Sequence, residues 1–598
     1  MAAGNVPSRQ TLLESTDPVL LRKAGKQLRK LPADPDLRQV TVAVLATSTV
    51  GPYRDLLTSA LVGAGMWPAI DPGEYGTFEI TLASGRFTTG ADPDLVSLLM
   101  DESFFLPADW SPTDVPALAA HVEGRLHELG ELVAAALAGT AATVVLHTVP
   151  LPAQVRDGLV SLRDRAAVAQ LWTRLNAGLL DLAREHPQVV TADLVGLLAD
   201  APFAARDERL HRYADLPYTD GALLLLAGEV RRAAQARAGL SRKVLALDLD
   251  NTLWGGVLGE AGAEGIELGG LYPGNAYKQL QLSVRRLREQ GVILVLASKN
   301  DAALVDEVLA GHPEMVLGAD AFAVRAVNWK AKAENLRAAA ESLGLSTESM
   351  VFLDDSPFER GHVTAELPGT VVLDASGDPA HLVRTLLRTG WFDVLDLTKT
   401  DLQRPQLYRA RALRSDFSTG FGSSQDYLTA LGLRLTPAPV TGYTVARAAQ
   451  LAARTNQFNL TGERFDQATT TAMSTSADHL VATFEVSDRF GDEGVVGAAW
   501  VHRDGDRWRV LNLVLSCRVL GRGIDLAIAG WLARQARAAG ATRLEASYVA
   551  SKKNGVAAGF WTTAGFAAGA EPGSFVLDLT TEPGDLPGWI TLRERSDA

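Results

Sequence analysis

Three uninterrupted apolar runs, each ending in polar side chains, are the clearest feature of the hydrophobic pattern. Short apolar runs without polar alternation are typical of strands buried on both faces of a parallel sheet. Amphipathic segments such as Tyr277–Gln290 lie between the runs and predict helices. This alternation predicts an α/β fold. The runs are Val244–Leu247, Val292–Ala297 and Met350–Leu353.

The polar residues that follow these runs suit metal or phosphate chemistry. Parallel strands end at one edge of a sheet, where α/β proteins bind their ligands. Asp248 and Asp250 are suited to binding a hard cation, above all Mg²⁺. They are also suited to catalysis in which one aspartate is the nucleophile and its neighbour the acid and base. A plain Asx turn is the alternative. Ser298 offers a hydroxyl to a phosphate oxygen, and Asp354 and Asp355 end the third run.

Lys330 and Lys332 open a further helical pattern and can place a positive charge over the same pocket. The order strand-Asp-x-Asp-x-Thr, strand-Ser, helix-Lys, strand-Asp-Asp resembles the signature of the haloacid dehalogenase-like (HAD) phosphohydrolases. The Gly-rich stretch Leu258–Asn275 has room for a hairpin flap but not for a folded cap. Such a site stays open, so a large partner or a neighbouring domain must exclude water from it.

Residues 39–238 also alternate strands and helices, which predicts a doubly wound α/β domain after a leader at 1–38 that carries the helix Pro18–Leu31. The turn Ala46–Gly51 loosely resembles an SGNH-hydrolase-type fold. The Gly-Asp-Ser nucleophile turn of that family is absent, so Ser48 is interpreted as a turn residue. We interpret this domain as a degenerate SGNH-like relative used for packing or docking.

A HAD-like domain at 241–396 and a connector at 397–424 precede a third domain at 425–598. There a strand, a Gly-rich loop and the helix from Ile524 can form a backbone cradle for an anion. With the strand Thr542–Tyr548 and the ending Gly565-Phe566, the pattern resembles the α+β fold of GNAT-type acyltransferases, which bind the pantetheine-pyrophosphate arm of coenzyme A at this loop. Predicted phosphopantetheine-binding residues are Arg518, Gly521, Arg522, Gly523 and Asn554.

Four motifs look like the FkbH-like family, and the likeness extends over Ser241–Phe566. The resemblance implies glyceryl transfer in polyketide biosynthesis. The glyceryl unit of 1,3-bisphosphoglycerate passes through a protein cysteine to the phosphopantetheine thiol of an acyl carrier protein, and phosphate is lost. The motifs occupy 248–260, 328–332, 454–461 and 516–523.

The resemblance also implies roles for the residues of the HAD motifs. Asp248 is the expected nucleophile, and Asp250 the general acid and then the general base. Lys332 offsets charge, with Lys330 as the alternative. Phosphate oxygens are oriented by Thr252 and Ser298. The expected Mg²⁺ ligands are Asp248, the Asp250 carbonyl, and either Asp354 or Asp355.

Cys517 is the acyl-carrying candidate, although a lone cysteine after an apolar strand is ordinarily a small buried hydrophobe. Arg518, Arg522 and the nearby helix start would lower the pKa of a thiol at this position. The same arginines, with Arg534, Arg537, Lys552 and Lys553, form a basic patch that could steer an acidic carrier protein. A solvated helix face is the alternative interpretation of this patch.

The 598 residues are 47% hydrophobic, so several globular domains are expected. A net charge of −13 without a basic tract argues against a nucleic-acid partner. One cysteine excludes intrachain disulfides. With neither a signal peptide nor a membrane span, we expect a cytoplasmic protein. Two other functions stay open: a HAD phosphatase with a non-catalytic GNAT-like domain, and a scaffold that binds a carrier protein.

Overall fold

The computed structural model describes residues 6–87, 92–418, 420–442, 444–455, 457–551, 554–582 and 584–593, without the side chains of Thr400, Arg454 and Cys517. The chain forms two compact units. The first unit comprises Met1–Val292, Ala297–Leu317 and Thr347–Leu402. The second comprises Ile293–Leu296, Gly318–Ser346 and Gln403–Ala598.

The N-terminal part of the first unit contains a parallel sheet. Its five strands are β1 (Arg38–Ala46), β2 (Met66–Pro72), β3 (Leu95–Leu99), β4 (Thr143–His147) and β5 (Val189–Ala192). They pair in the order β2-β1-β3-β4-β5. Every residue of β3 and β4 is buried, as expected for strands covered on both faces. The predicted α/β fold of this region is confirmed, whereas its likeness to SGNH hydrolases stays a prediction.

Ten helices accompany this sheet. They are α1 (Arg9–Glu14), α2 (Pro18–Leu28), α3 (Gly51–Gly63), α4 (Phe78–Ser84), α5 (Val115–Leu137), α6 (Ala153–Asp157), α7 (Leu162–Glu185), α8 (Leu194–Ala199), α9 (Glu208–Ala214) and α10 (Asp220–Arg237).

The first helices, which lie within the predicted leader at 1–38, pack into the core of this region. Leu12 of α1 and Leu21 of α2 are buried in one hydrophobic cluster with Leu56 and Leu61 of α3. Each such leucine contributes about 2 kcal/mol through burial. The expected helix begins at Pro18, where the Asp17 carboxylate accepts hydrogen bonds from two backbone N–H groups of the first turn.

The second sheet contains five strands. They are β6 (Val244–Leu247), β7 (Ile293–Ser298), β8 (Val324–Val327), β9 (Met350–Asp354) and β10 (Val371–Asp374). Their order is β10-β9-β6-β7-β8, and β6 and β10 both pair with β9 in parallel. The helices are α11 (Leu258–Ala261), α12 (Gly274–Glu289), α13 (Ala302–Gly311), α14 (Lys332–Leu343), α15 (Pro357–Glu366) and α16 (Leu382–Leu387).

The C-terminal part of the second unit contains an eight-stranded mixed sheet. Its strands are β11 (Leu433–Pro439), β12 (His479–Asp488), β13 (Gly491–Asp504), β14 (Arg507–Leu515), β15 (Arg543–Ser547), β16 (Ala567–Ala568), β17 (Ser574–Asp578) and β18 (Ile590–Leu592). Their order is β16-β17-β15-β14-β13-β12-β11-β18. The helices are α17 (Lys399–Ser418), α18 (Ser424–Leu431), α19 (Val445–Arg454), α20 (Gln467–Thr475), α21 (Ile524–Ala538) and α22 (Phe560–Thr563).

Candidate active site

The carboxyl ends of β6 and β9 meet because these strands pair in parallel, from Val244 opposite Met350 to Leu247 opposite Leu353. The backbone N–H of Asp248 continues the ladder and donates to the Leu353 carbonyl at 3.1 Å. All the strand residues are buried, which fixes the register. The parallel ladder therefore brings together two acidic motifs that lie about a hundred residues apart in the sequence.

Asp248, Asp354 and Asp355 form a carboxylate cluster in which one oxygen of each residue lies within 4.8 Å of the others. Asp354 is fully buried, and its Oδ1 accepts a hydrogen bond from the Ser356 N–H at 2.8 Å. Carboxylates this close repel one another unless a proton or cation lies between them. Three hard oxygen donors at a strand end suit Mg²⁺, so the residues present fit the expected metal.

The Asp250 carboxylate lies outside this cluster and accepts hydrogen bonds from at least three donors. Its Oδ1 accepts from the Trp254 indole N–H at 2.9 Å and from the Leu258 N–H at 3.1 Å. Its Oδ2 accepts from the Asn300 amide at 3.0 Å. A short side chain with both oxygens engaged has a fixed orientation, as a general acid and base requires. The sequence analysis assigned no role to Trp254, which lies within the motif at 248–260, or to Asn300, which follows Ser298 by two residues.

Thr252 carries a buried hydroxyl without a hydrogen-bond partner among the described residues. The residue is 0% exposed, and its backbone N–H donates to the Leu249 carbonyl at 3.0 Å. Leaving a hydroxyl unpaired in a protein interior costs about 1–3 kcal/mol, so the atom is suited to a ligand oxygen. The contact of Thr252 with phosphate stays a prediction. Ser298, at the end of β7, is also buried.

The two candidate lysines differ in their surroundings. Lys332 is the first residue of α14 and is 3% exposed. The side chain of Lys330 is 66% exposed and lies 3.7 Å from Glu334, the usual surroundings of a solvated surface lysine. A buried lysine requires a compensating anion, which favours Lys332 for the predicted role. Lys332 lies in the second unit, and its action on the carboxylate cluster stays a prediction.

The flap between the first motif and α12 is small, as the sequence predicts. Backbone N–H groups of Gly255 and Glu267 donate to each other's carbonyls at 3.0 and 2.9 Å and close the loop, which contains the four-residue helix α11. A Cβ at Gly255 would lie 2.5 Å from Glu267 Oε2 and 2.8 Å from the Tyr277 ring. A side chain at this position would therefore require the Glu267 side chain and the Tyr277 ring to shift. No folded cap is formed by Leu258–Asn275.

Cys517 begins a 3₁₀ turn, Cys517–Val519, immediately after β14. Its side chain lies outside the described residues, so the predicted acyl-carrying role is not tested. The glycines of the following loop have the expected backbone freedom, with φ of +76° at Gly521 and +79° at Gly523. Gly523 directly precedes α21, so the loop ends at a helix N-terminus as predicted.

The arginines of this loop are ion-paired with acidic side chains. Arg414 of α17 is almost fully buried and contacts the carboxylates of Asp488 and Glu493. Arg522 lies 3.8 Å from the Asp488 carboxylate and 3.7 Å from that of Glu493. Arg518 lies 3.7 Å from Glu493. The pKa of Arg522 is lowered, chiefly because the residue is buried and secondly because Arg414 repels its charge.

Three arginines and two carboxylates leave this ion cluster with one excess positive charge. The attraction that Arg518 and Arg522 offer to an anion is therefore largely offset by Asp488 and Glu493. Their predicted contact with phosphopantetheine stays a prediction. Two other members of the predicted basic patch, Lys552 and Lys553, lie outside the described residues.

Asn554 is buried and belongs to a network of amide side chains. Its amide donates to the backbone carbonyls of Asn459 and Val549, each at 2.9 Å, and its Oδ1 accepts from the Ser551 N–H at 2.7 Å. Asn512 in turn donates to Asn459 Oδ1 at 2.8 Å. Because its amide hydrogens are already engaged, direct binding of phosphopantetheine by Asn554 would require one of these bonds to be replaced.

None of the described helices has the length and apolar content needed to cross a lipid bilayer.

Comparison with known proteins gives an informative match to a solved structure. No family model and no curated protein matches the chain. Acetyltransferase structures match only weakly. The Escherichia coli ribosomal-protein-S18-alanine N-acetyltransferase is 14% identical, and the match covers 24% of this chain and 90% of that chain with a TM-score of 0.19. The GNAT domain of an S. lividans protein is 15% identical, with 24% and 89% covered and a TM-score of 0.19. TM-scores this low do not establish a fold.

The informative match is the N-terminal part of a Bacteroides fragilis protein, which contains a phosphatase domain complexed with Mg. It is 26% identical, with 63% of this chain and 98% of that chain covered and a TM-score of 0.53. The chain is thus similar to a Mg-bound phosphatase-domain protein, in agreement with the predicted HAD-like fold and with a carboxylate cluster suited to a divalent cation.

Proposed function

We propose that this protein is a Mg²⁺-dependent glyceryl transferase and phosphatase that loads an acyl carrier protein. The observation that carries the phosphatase half is the convergence of Asp248, Asp354 and Asp355 at the strand ends. The orphaned hydroxyl of Thr252, four residues after Asp248, adds to it. Likeness to a phosphatase domain complexed with Mg supports it. The glyceryl and carrier-protein half rests on the resemblance of the sequence motifs to the FkbH-like family.

In the proposed hydrolysis, an Asp248 carboxylate oxygen attacks the phosphorus of the phosphate monoester. The bond from phosphorus to the glyceryl oxygen breaks, and Asp250 protonates the departing alkoxide. Asp250 then takes a proton from water, which attacks the aspartyl-phosphate and releases phosphate. The hydroxyl of Thr252 donates to a phosphoryl oxygen throughout. Bound Mg²⁺ would supply charge compensation for the phosphoryl oxygens.

In the proposed transfer, the thiolate of Cys517 attacks the carbonyl of the acyl phosphate in 1,3-bisphosphoglycerate. The bond from carbon to the phosphate oxygen breaks, and inorganic phosphate leaves. The phosphopantetheine thiol of the carrier then attacks the resulting thioester, and Cys517 recovers its proton. The donor is already activated, so neither step requires ATP.

A second candidate function is a phosphatase whose C-terminal domain performs no chemistry. Two observations favour it over transfer. Arg518 and Arg522 are compensated by buried carboxylates, and the amide of Asn554 is engaged within the protein. A chemically silent scaffold is disfavoured, because an ordinary structural role leaves the carboxylate cluster and the orphaned hydroxyl unexplained.

Intact-protein mass spectrometry tests the proposal. The full chain is mixed with Mg²⁺, a system that generates 1,3-bisphosphoglycerate and a phosphopantetheinylated carrier protein, with Cys517→Ala and Asp248→Asn in parallel. We expect a glyceryl mass on enzyme and carrier, its loss in Cys517→Ala, and loss of phosphate-ester hydrolysis in Asp248→Asn. Phosphate release without added mass on either protein, given a competent carrier, would establish the second candidate. Hydrolysis by Asp248→Asn at the wild-type rate would refute both.

A further inference from the structure

A cavity of about 620 Å³ opens beside the edge strand β2, on the same side as helices α2 and α3. Leu28 of α2, Arg54 of α3 and Trp67 of β2 are among its lining residues. None of the residues assigned to the carboxylate cluster or to phosphate binding lines it. The volume falls in the range of small-molecule sites, about 300–1,000 Å³. The proposed function leaves this cavity without a role.

Arg54 is the unusual residue of the cavity wall. Its Nε is buried and has no hydrogen-bond partner among the described residues. Among the residues that the structure describes, no carboxylate oxygen lies within 4.0 Å of the Arg54 guanidinium. Burial and the nearby guanidinium of Arg29 both lower the pKa of Arg54. A guanidinium carries five donors in a planar fork that matches an oxyanion, so an unpaired one in a cavity wall is suited to such a ligand.

The neighbouring charges restrict the kind of anion. Arg29 also lines the cavity, but it is paired with Asp55 at 2.6 Å. Asp71 lies at the exposed rim, and its negative charge and that of Asp55 oppose the lowering of the pKa of Arg54. A ligand with a second anionic group would place that group near Asp71 and be repelled by it. A single oxyanion group placed against Arg54 avoids that repulsion.

The rest of the wall combines polar side chains, Thr41 and Thr58, with apolar ones. Leu28, Trp67 and Ile70 lie around the cavity, with two prolines of β2. A tryptophan ring offers a large apolar face at little conformational cost and stacks well on planar groups. We propose that this cavity binds a small acid with one oxyanion group, carboxylate or phosphate, held by Arg54, and an apolar body packed against Trp67.

Ligand-observed NMR on the full chain tests the site, with EDTA present to keep the carboxylate cluster metal-free. Benzoate, phenyl phosphate and the neutral benzamide serve as probes. We expect the protein to bind at least one of the two anions and to bind benzamide at least about tenfold more weakly, because a charge-assisted hydrogen bond is lost. Preference for benzoate or for phenyl phosphate tells which oxyanion the cavity takes.

Variants place the binding at this cavity. Arg54→Met should weaken anion binding about tenfold or more, and Arg54→Lys, which keeps the charge without the fork, should weaken it less. Arg22→Met is the matched control, because Arg22 is an exposed arginine of α2 that pairs with Asp220 at 3.0 Å. Asp248→Asn should bind as the wild type does, which separates this site from the phosphatase site.

Three results would overturn the proposal: no binding of either anion by the wild type, equal binding of benzamide, or unchanged binding in Arg54→Met. Should Arg54→Met fail to fold, Arg54→Lys and Trp67→Leu carry the test. The affinity for the anions must then fall in both of these variants.

Discussion

Replacing Thr252 with valine should change stability and activity in opposite directions. Valine has nearly the shape of threonine but lacks the hydroxyl, which is buried without a hydrogen-bond partner among the described residues. Removing an unpaired buried hydroxyl relieves a desolvation cost of about 1–3 kcal/mol, so we expect the ligand-free protein to gain about 1 kcal/mol. Removing a donor to the phosphoryl oxygens should lower kcat for a phosphate monoester about a hundredfold.

Two measurements test this prediction: unfolding by calorimetry without ligand, and hydrolysis of p-nitrophenyl phosphate with Mg²⁺. Inorganic phosphate should also raise the Tm of the wild type more than that of Thr252→Val, since a ligand stabilises the protein according to its affinity for the folded state. Thr370 provides the matched control, because its buried hydroxyl donates to the Thr347 carbonyl at 3.0 Å. Thr370→Val should lose about 1 kcal/mol of stability and keep its activity.

The reasoning is refuted if Thr252→Val loses as much stability as Thr370→Val, because the hydroxyl would then make a structural bond. It is also refuted if Thr252→Val hydrolyses the ester at the wild-type rate. That result would show that the hydroxyl does not contact phosphate.

Three further predictions concern metal, pH and buried charge. Asp354→Asn should raise the Mg²⁺ concentration required for half-maximal hydrolysis about tenfold or more, whereas an equal requirement in variant and wild type would exclude Asp354 as a ligand. Burial lowers the pKa of His147 to about 4. The unfolded state therefore binds this proton more tightly than the folded state does, and the free energy of unfolding falls as the pH falls. Between about pH 6.5 and pH 4, chemical denaturation should show a loss about 3 kcal/mol larger for the wild type than for His147→Gln. Arg414→Met should lower stability by about 3–5 kcal/mol, because the buried negative charges of Asp488 and Glu493 then lose a positive partner. In calorimetry, adding Asp488→Asn to this variant should restore part of the loss.

The convergence of the acidic motifs could be predicted without coordinates. Apolar runs before Asp248 and Asp354 indicated buried parallel strands, and parallel strands end at one sheet edge. The choice between Lys330 and Lys332 could not be made on the same grounds, because both residues begin one helical pattern. Burial distinguishes the two residues and favours Lys332, because Lys332 is enclosed and Lys330 is solvated.

The supports of the site could not be predicted from pattern. Asn300 contacts Asp250 across 50 residues of sequence, and nothing in the local sequence of Asn300 indicates an acceptor. Similarly, no periodicity links Arg414 with Asp488 and Glu493. Hydrophobic periodicity reports which face of an element is buried, whereas the pairing of polar groups depends on how distant segments pack.

The sequence by itself determined the α/β class, the order of the strands along the chain and the residue types at the strand ends, because these follow from local apolar patterning and strand direction. Only the tertiary structure decided which charges and hydroxyls stay available. It enclosed the first helices in the core and paired Arg518 and Arg522 with buried acids. It left the Thr252 hydroxyl and the Arg54 Nε without hydrogen-bond partners among the described residues. The physical reason is that a polar group becomes available for a ligand only after packing has removed water from it and offered no substitute.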